Sequence, residues 1–112
     1  MKMQIVKKVW GEERWLANAD FCCKELILER GFRCSLHYHK KKDELFYVLE
    51  GQVLLEINGE EHVLSPGAWY RVYPNDIHRF NGWARSLILE SSTHHEDEDS
   101  YRIEPSGRMY EH

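Results

Sequence analysis

Apolar residues along this chain recur in short alternating runs, each closed by a turn signal, and no stretch has the length and period of a long helix. The runs predict strands over 4–9, 24–29, 33–38, 45–49, 52–57, 61–64, 68–72, 78–80 and 85–91. Between them lie Arg30-Gly31, Glu50-Gly51, Asn58-Gly59, Ser65-Pro66-Gly67 and Pro74-Asn75-Asp76. Asn58-Gly59 carries the strongest hairpin signal, because a type I′ turn needs positive φ at both central residues. Turns every eight to ten residues predict an antiparallel sandwich or barrel. The stretch 16–21 fits either a short helical turn or a connector. From Thr93 the pattern changes: the acidic run His94-His95-Glu96-Asp97-Glu98-Asp99 and few apolar residues beyond it predict a poorly ordered or partner-dependent tail over 93–112. The expectation is one domain over 1–112, with a barrel core at about 24–92.

Composition narrows the class. At 112 residues, 42% hydrophobic, with four Trp, six Tyr and four Phe, the chain can build a compact core, which excludes global disorder. A net charge of -4 argues against nucleic-acid binding as the main task. Cys22, Cys23 and Cys34 are odd in number and form no Cys-x-x-Cys pair, so they read as free thiols in a reducing compartment. The first residues lack the apolar core of a signal peptide, and no run approaches the roughly 18 apolar residues of a spanning helix. A cytoplasmic protein without membrane or nucleic-acid partners is expected. The aromatic residues exceed what a small barrel interior holds, so some should line a cavity or a dimer interface. An N-terminal strand at 4–9 that pairs across subunits would give a homodimer and cover an open sheet edge.

The candidate chemistry lies in His37, His39, Glu44 and His78. His37 and His39 are two apart, so on a strand they share a face. Glu44 follows after the polar run Lys40 to Asp43, which can turn the chain and place the carboxylate at the start of the next apolar run. His78 follows a second Gly-anchored strand. Three imidazoles and one carboxylate closed into a barrel would suit one divalent transition metal, with Mn, Fe, Zn, Ni and Co all compatible.

Written out, the first segment is Gly31, five residues, His37-x-His39, four residues, Glu44, six residues, Gly51. The second is Gly67, five residues, Tyr73-Pro74-Asn75, two residues, His78. Together these resemble the two signature motifs of the cupin superfamily, with Tyr73 where Pro is usual and Asn75 where Gly is usual. Asn tolerates left-handed backbone better than other non-glycine residues, so the turn can survive. The resemblance implies an all-β double-stranded β-helix, the jelly-roll barrel, with a metal held inside by His37, His39, Glu44 and His78. Val9-Trp10-Gly11 near the start and the segment from Arg102 to Arg108 are similar to the entry and terminal segments of cupin-type mannose-6-phosphate isomerases.

That resemblance implies an isomerase acting on a sugar or sugar phosphate, a small-molecule substrate whose adjacent oxygens would share the metal's open positions. A base is then needed. A carboxylate inside the apolar run Ser86-Leu87-Ile88-Leu89-Glu90 is costly without a purpose, which makes Glu90 the candidate; the alternative is a strand end facing solvent. Tyr47 and Arg71 are candidate substrate-binding residues, Arg because it suits bidentate contacts to phosphate. The Lys40–Lys42 run reads as a solvated turn. Two other readings stay open: an Fe(II) dioxygenase built on two His and one carboxylate, and a carbohydrate-binding barrel without catalysis.

Overall fold

In the computed structural model, which describes residues 2–110, the alternating runs form strands throughout. In chain order they are β1 (Gln4–Lys8), β2 (Gly11–Asn18), β3 (Phe21–Leu28), β4 (Phe32–Arg33), β5 (Leu36–Tyr38), β6 (Glu44–Glu50) and β7 (Val53–Ile57). There follow β8 (Glu60–Leu64), β9 (Trp69–Val72), β10 (His78–Gly82), β11 (Ser86–Thr93), a 3-10 turn at Asp97–Asp99, β12 (Tyr101–Glu104) and β13 (Gly107–Arg108). Every pairing is antiparallel. The all-β jelly roll expected from the motifs is the fold observed.

Two sheets face each other. One runs β1-β2-β3-β11-β6-β9. The other is centred on β10, which pairs with β7 on one side and with the interrupted strand β4/β5 on the other; β8 and the interrupted strand β12/β13 lie outermost. Alternation decides which side chains enter the core. In β6, Glu44, Phe46 and Val48 are buried while Leu45 and Tyr47 sit on the outer side; in β7, Val53, Leu55 and Ile57 are buried. Each fully buried large apolar side chain contributes about 1.5–3 kcal/mol.

Turn chemistry matches the sequence closely. Asn58 and Gly59 have φ of 49° and 84°, as a type I′ turn between β7 and β8 requires. Asn75 adopts φ 74°, so the residue standing where Gly is usual does enter the left-handed region. Gly51 is needed for a second reason: a Cβ there would meet the main-chain oxygen of Arg85 at 2.6 Å.

Two expectations are corrected. The stretch 16–21 is neither helical nor a free connector: Gly11–Asn18 is a strand paired with β3 along its length. Its signal is hidden because Glu13 and Trp15, not aliphatic residues, pair with Leu26 and Lys24 of β3. The tail is also ordered over the described residues, Glu111 and His112 lying outside them. Tyr101 pairs with Tyr38, Arg102 with His37 and Gly107 with Arg33. Asp99, only 6% exposed, anchors this return. Its carboxylate accepts the backbone N–H groups of Lys40, Lys41 and Lys42 at 3.0 to 3.2 Å. An acidic run that looked solvated thus supplies a structural clasp.

Candidate metal centre

His78 on β10 and His37 on β5 are directly paired across the ladder, which brings their rings to a centroid distance of 4.4 Å. His39 follows β5 by one residue, with its ring 4.9 Å from that of His37. One ring nitrogen from each of the three lies within 4.8 Å of the others. Glu44 opens β6 on the facing sheet, and its Oε2 approaches His78 Nε2 to 3.4 Å and His39 Nε2 to 3.7 Å. The four residues singled out in the sequence therefore meet, although 41 positions separate His37 from His78.

Hydrogen bonds settle which imidazole nitrogens face the centre. His37 Nδ1 is 2.8 Å from the carbonyl of Ser35, His39 Nδ1 is 2.9 Å from that of Asp99, and His78 Nδ1 is 2.8 Å from that of Asp76. A carbonyl only accepts, so each Nδ1 donates and each ring turns its Nε2 inward, where a neutral imidazole presents a lone pair. Burial disfavours the charged form of His37 and His39. It lowers His37 to about 3, helped by the neighbouring His78, and it lowers His39 in the same direction. For Glu44, burial acts to raise the carboxyl, but His78, Lys42 and His39 outweigh it and hold the group ionised.

The fit to a metal rests on what these atoms lack. Glu44 Oε2 and His78 Nε2 are buried and have no hydrogen-bond partner among the described residues. A buried carboxylate oxygen and a buried imidazole nitrogen left without hydrogen-bond partners are unfavourable by themselves and would be matched by a cation between them. The donor set of imidazole nitrogen and carboxylate oxygen fits a metal ion.

Behind Glu44 lies a charged group that sequence reasoning missed. Lys42, 3% exposed, extends its ammonium to Glu44 Oε1 at 3.0 Å, Glu90 Oε2 at 2.7 Å and His95 Nδ1 at 3.0 Å. All three N–H donors are used. Burial disfavours its charge, yet Glu90 and Glu44 more than compensate and raise Lys42 above the ordinary lysine range. The reading of Lys40–Lys42 as a solvated turn is thus corrected at its last position. A signal existed: Lys42 is two residues before Glu44 and shares its face in extended chain.

Glu90 is 4% exposed and lines the same cavity of about 360 Å³, so it does not face solvent. All its contacts, to Lys42, Ser92 Oγ at 3.0 Å and Cys22 Sγ at 3.9 Å, fall on Oε2. Arg71 and Tyr47 are elsewhere. Arg71 is on the outer surface, with Nη2 2.7 Å from Asp43 Oδ2, and Tyr47 occupies an outward position of β6. Neither lines the cavity. Their inward neighbours are Val72 and Phe46, and a one-residue phase difference is enough to exclude them.

A model of the cupin domain matches residues 25–85. The chain is 30% identical over 117 aligned positions to a D-lyxose/D-mannose isomerase from Thermosediminibacter oceani, an alignment that covers 79% of this chain and 65% of the isomerase. Over 51 positions it is 39% identical to quercetin 2,3-dioxygenase from Bacillus subtilis, covering 46% of this chain and 15% of the dioxygenase. The chain thus spans under two thirds of either relative. Among solved structures, KdgF from Halomonas sp. superposes with a TM-score of 0.77 at 23% identity over 88% of this chain and 90% of that one, a likeness of fold. No helix among the described residues is long and apolar enough to cross a membrane.

Proposed function

The chain belongs to the cupin family, and from that premise we propose that it is a metal-dependent isomerase of a sugar or sugar phosphate. The observation that carries this reading is the pair Glu90–Lys42 in the same cavity as the four-residue donor set. His37, His39, His78 and Glu44 would hold one divalent transition metal, such as Mn, Fe, Zn, Ni or Co. That ion would polarise the carbonyl oxygen of a hydroxy-aldehyde or ketose.

The remaining work falls to the chain. Aldose–ketose exchange removes a proton from the carbon next to the carbonyl and returns it to the neighbouring carbon, while a hydroxyl proton passes between the two oxygens. Glu90 is the base that takes and returns the carbon-bound proton. Lys42 positions it by holding Oε2, and Ser92 does the same from the strand. Phe46, Phe80 and Ile88 line the cavity beside these groups and limit water, which protects the enediolate that proton removal produces. Likeness to the Thermosediminibacter isomerase supports this choice of reaction.

The test is turnover of an aldose–ketose panel by protein whose metal content is measured and restored. Activity should require the metal and no oxygen, and Glu90→Gln should lower kcat by about 10²–10⁴-fold with metal content unchanged. Inactivity across a broad panel with metal restored would sink the isomerase. The donor set and the Bacillus subtilis relative favour one second reading, an Fe(II) dioxygenase, whose mark is oxygen uptake dependent on Fe(II) and substrate. Ligand-dependent melting shifts without turnover would instead mark a binding protein.

A further inference from the structure

Two lysines are buried in the cavity wall, and they are satisfied to different degrees. Lys42 spends its three donors on Glu44, Glu90 and His95. Lys24, on β3 in phase with Leu26 and Leu28, is 1% exposed and lines the cavity. Its ammonium lies 4.1 Å from the centroid of the Trp15 ring. The nearest carboxylate oxygen, Glu13 Oε1, is 3.6 Å away and already accepts the Trp15 indole N–H at 2.8 Å. Among the described residues, Lys24 Nζ donates no hydrogen bond.

An ammonium has three donors and no acceptor, and Lys24 presents its donors at the cavity wall with none of them used. The ring face of Trp15 attracts the charge, but it consumes no directed donor. The local charge balance indicates what completes the site. Glu13 is shared between Lys24 and Lys8, whose Nζ is 4.0 Å from Glu13 Oε2, so two ammonium groups face one carboxylate. Of the other carboxylates lining the cavity, Glu44 and Glu90 are held by Lys42 at 3.0 and 2.7 Å, and Asp97 is exposed and engaged with His95 Nε2 at 2.9 Å. Each of these carboxylates is thus already engaged elsewhere, and the open donors of Lys24 point to anionic oxygen.

Resting on the reading of the metal-bearing cavity as a site for polyhydroxylated carbonyl compounds, we propose that Lys24 anchors an anionic end of that substrate. The substrate class is a polyhydroxylated chain that ends in carboxylate or phosphate, with its carbonyl end toward His37, His39 and His78. Trp15 supports the ammonium from behind, and Glu13 with Lys8 sets its orientation. Lys24 reads the far end of the chain and takes no part in proton transfer.

The test uses pairs of ligands that differ only in the terminal group: D-gluconate against D-glucitol, and D-glucose 6-phosphate against D-glucose. Affinities are measured by calorimetry on the metal-loaded protein. Wild-type protein should prefer one anionic member over its neutral partner by about 10- to 100-fold, the range of a charge-assisted hydrogen bond. The first pair reports a carboxylate source and the second a phosphate source. Lys24→Met should erase the preference while leaving metal content and binding of the neutral member unchanged, and Lys24→Arg should retain most of it. Should Lys24→Met fail to fold, Lys24→Gln keeps a polar N–H end without the charge, on a side chain one atom shorter, and should erase the preference equally. No preference in wild-type protein for either pair, or a preference that survives loss of the charge, overturns the proposal. Metal content and metal-dependent turnover test the isomerase reading separately: a Lys24-dependent preference in a protein that needs no metal would sink that reading and leave this one standing.

Discussion

The two walls of the cavity are built on opposite logics. On the sheet centred on β10, three imidazoles are each oriented by a main-chain carbonyl, those of Ser35, Asp99 and Asp76. On the facing side, Lys42, Glu44, Glu90, Lys24 and Glu13 are oriented by one another. A carbonyl cannot be lost by substitution, so the imidazole wall should keep its geometry unless the main chain that carries a carbonyl is itself released. The charged wall has no such insurance. Each of its groups is tolerable in the interior only while its partner is present. The difference separates a wall suited to ligating from one suited to holding and moving charge.

The sharpest way to break this contrast is to remove the cation at the centre of the charged wall. Lys42→Met leaves Glu44 and Glu90 buried without their shared ammonium and should cost about 3–5 kcal/mol in urea unfolding. Adding Glu90→Gln should recover part of that loss. If Lys42→Met unfolds with the wild-type midpoint, the two walls do not differ as described.

Substitution on the other wall should be felt through the metal. His39→Ala should abolish metal binding by elemental analysis. It should also remove the metal's stabilisation, which is about 2.7 kcal/mol for an ion at a hundredfold excess over its Kd. Compared in chelator, the variant and wild-type protein should melt much closer together than Lys42→Met and wild type do.

A smaller effect is expected where the tail joins the imidazole wall. Asp99→Ala frees the N–H groups of Lys40, Lys41 and Lys42, and should cost about 1–2 kcal/mol while weakening metal affinity by about tenfold through a looser His39. Unchanged metal affinity would show that the tail is only a cover. The smallest effect belongs to Arg71→Ala on the outer surface. It loses one exposed ion pair with Asp43, worth at most about 1 kcal/mol, with metal content and turnover as in wild type.

These residues also show where sequence reasoning reaches and where it stops. The cluster of His37, His39, Glu44 and His78 was legible because its members sit at set distances from Gly31, Gly51 and Gly67, and their identity limits what they can do. Glu90 was legible as an anomaly, a charge within an apolar run. Arg71 and Tyr47 fall outside the cavity because residue type suggested a role while strand phase, one residue out, turned them away from it. β2 was missed because its core-facing positions carry Glu13 and Trp15, which break the apolar alternation that marks a strand.

By itself, then, the sequence determined an antiparallel all-β domain with turns at Asn58-Gly59 and Asn75, and the set of four ligand-type residues. Period-two alternation and left-handed turns act over a few residues, so they can be read locally. Only the tertiary structure decided that Lys42 is buried between Glu44 and Glu90, that Lys24 is left with open donors, and that the acidic tail holds His39 from sixty residues away. Those outcomes depend on which charge meets which across the barrel. The same Lys or Asp is a solvated surface group or a buried partner according to a contact that no local pattern encodes.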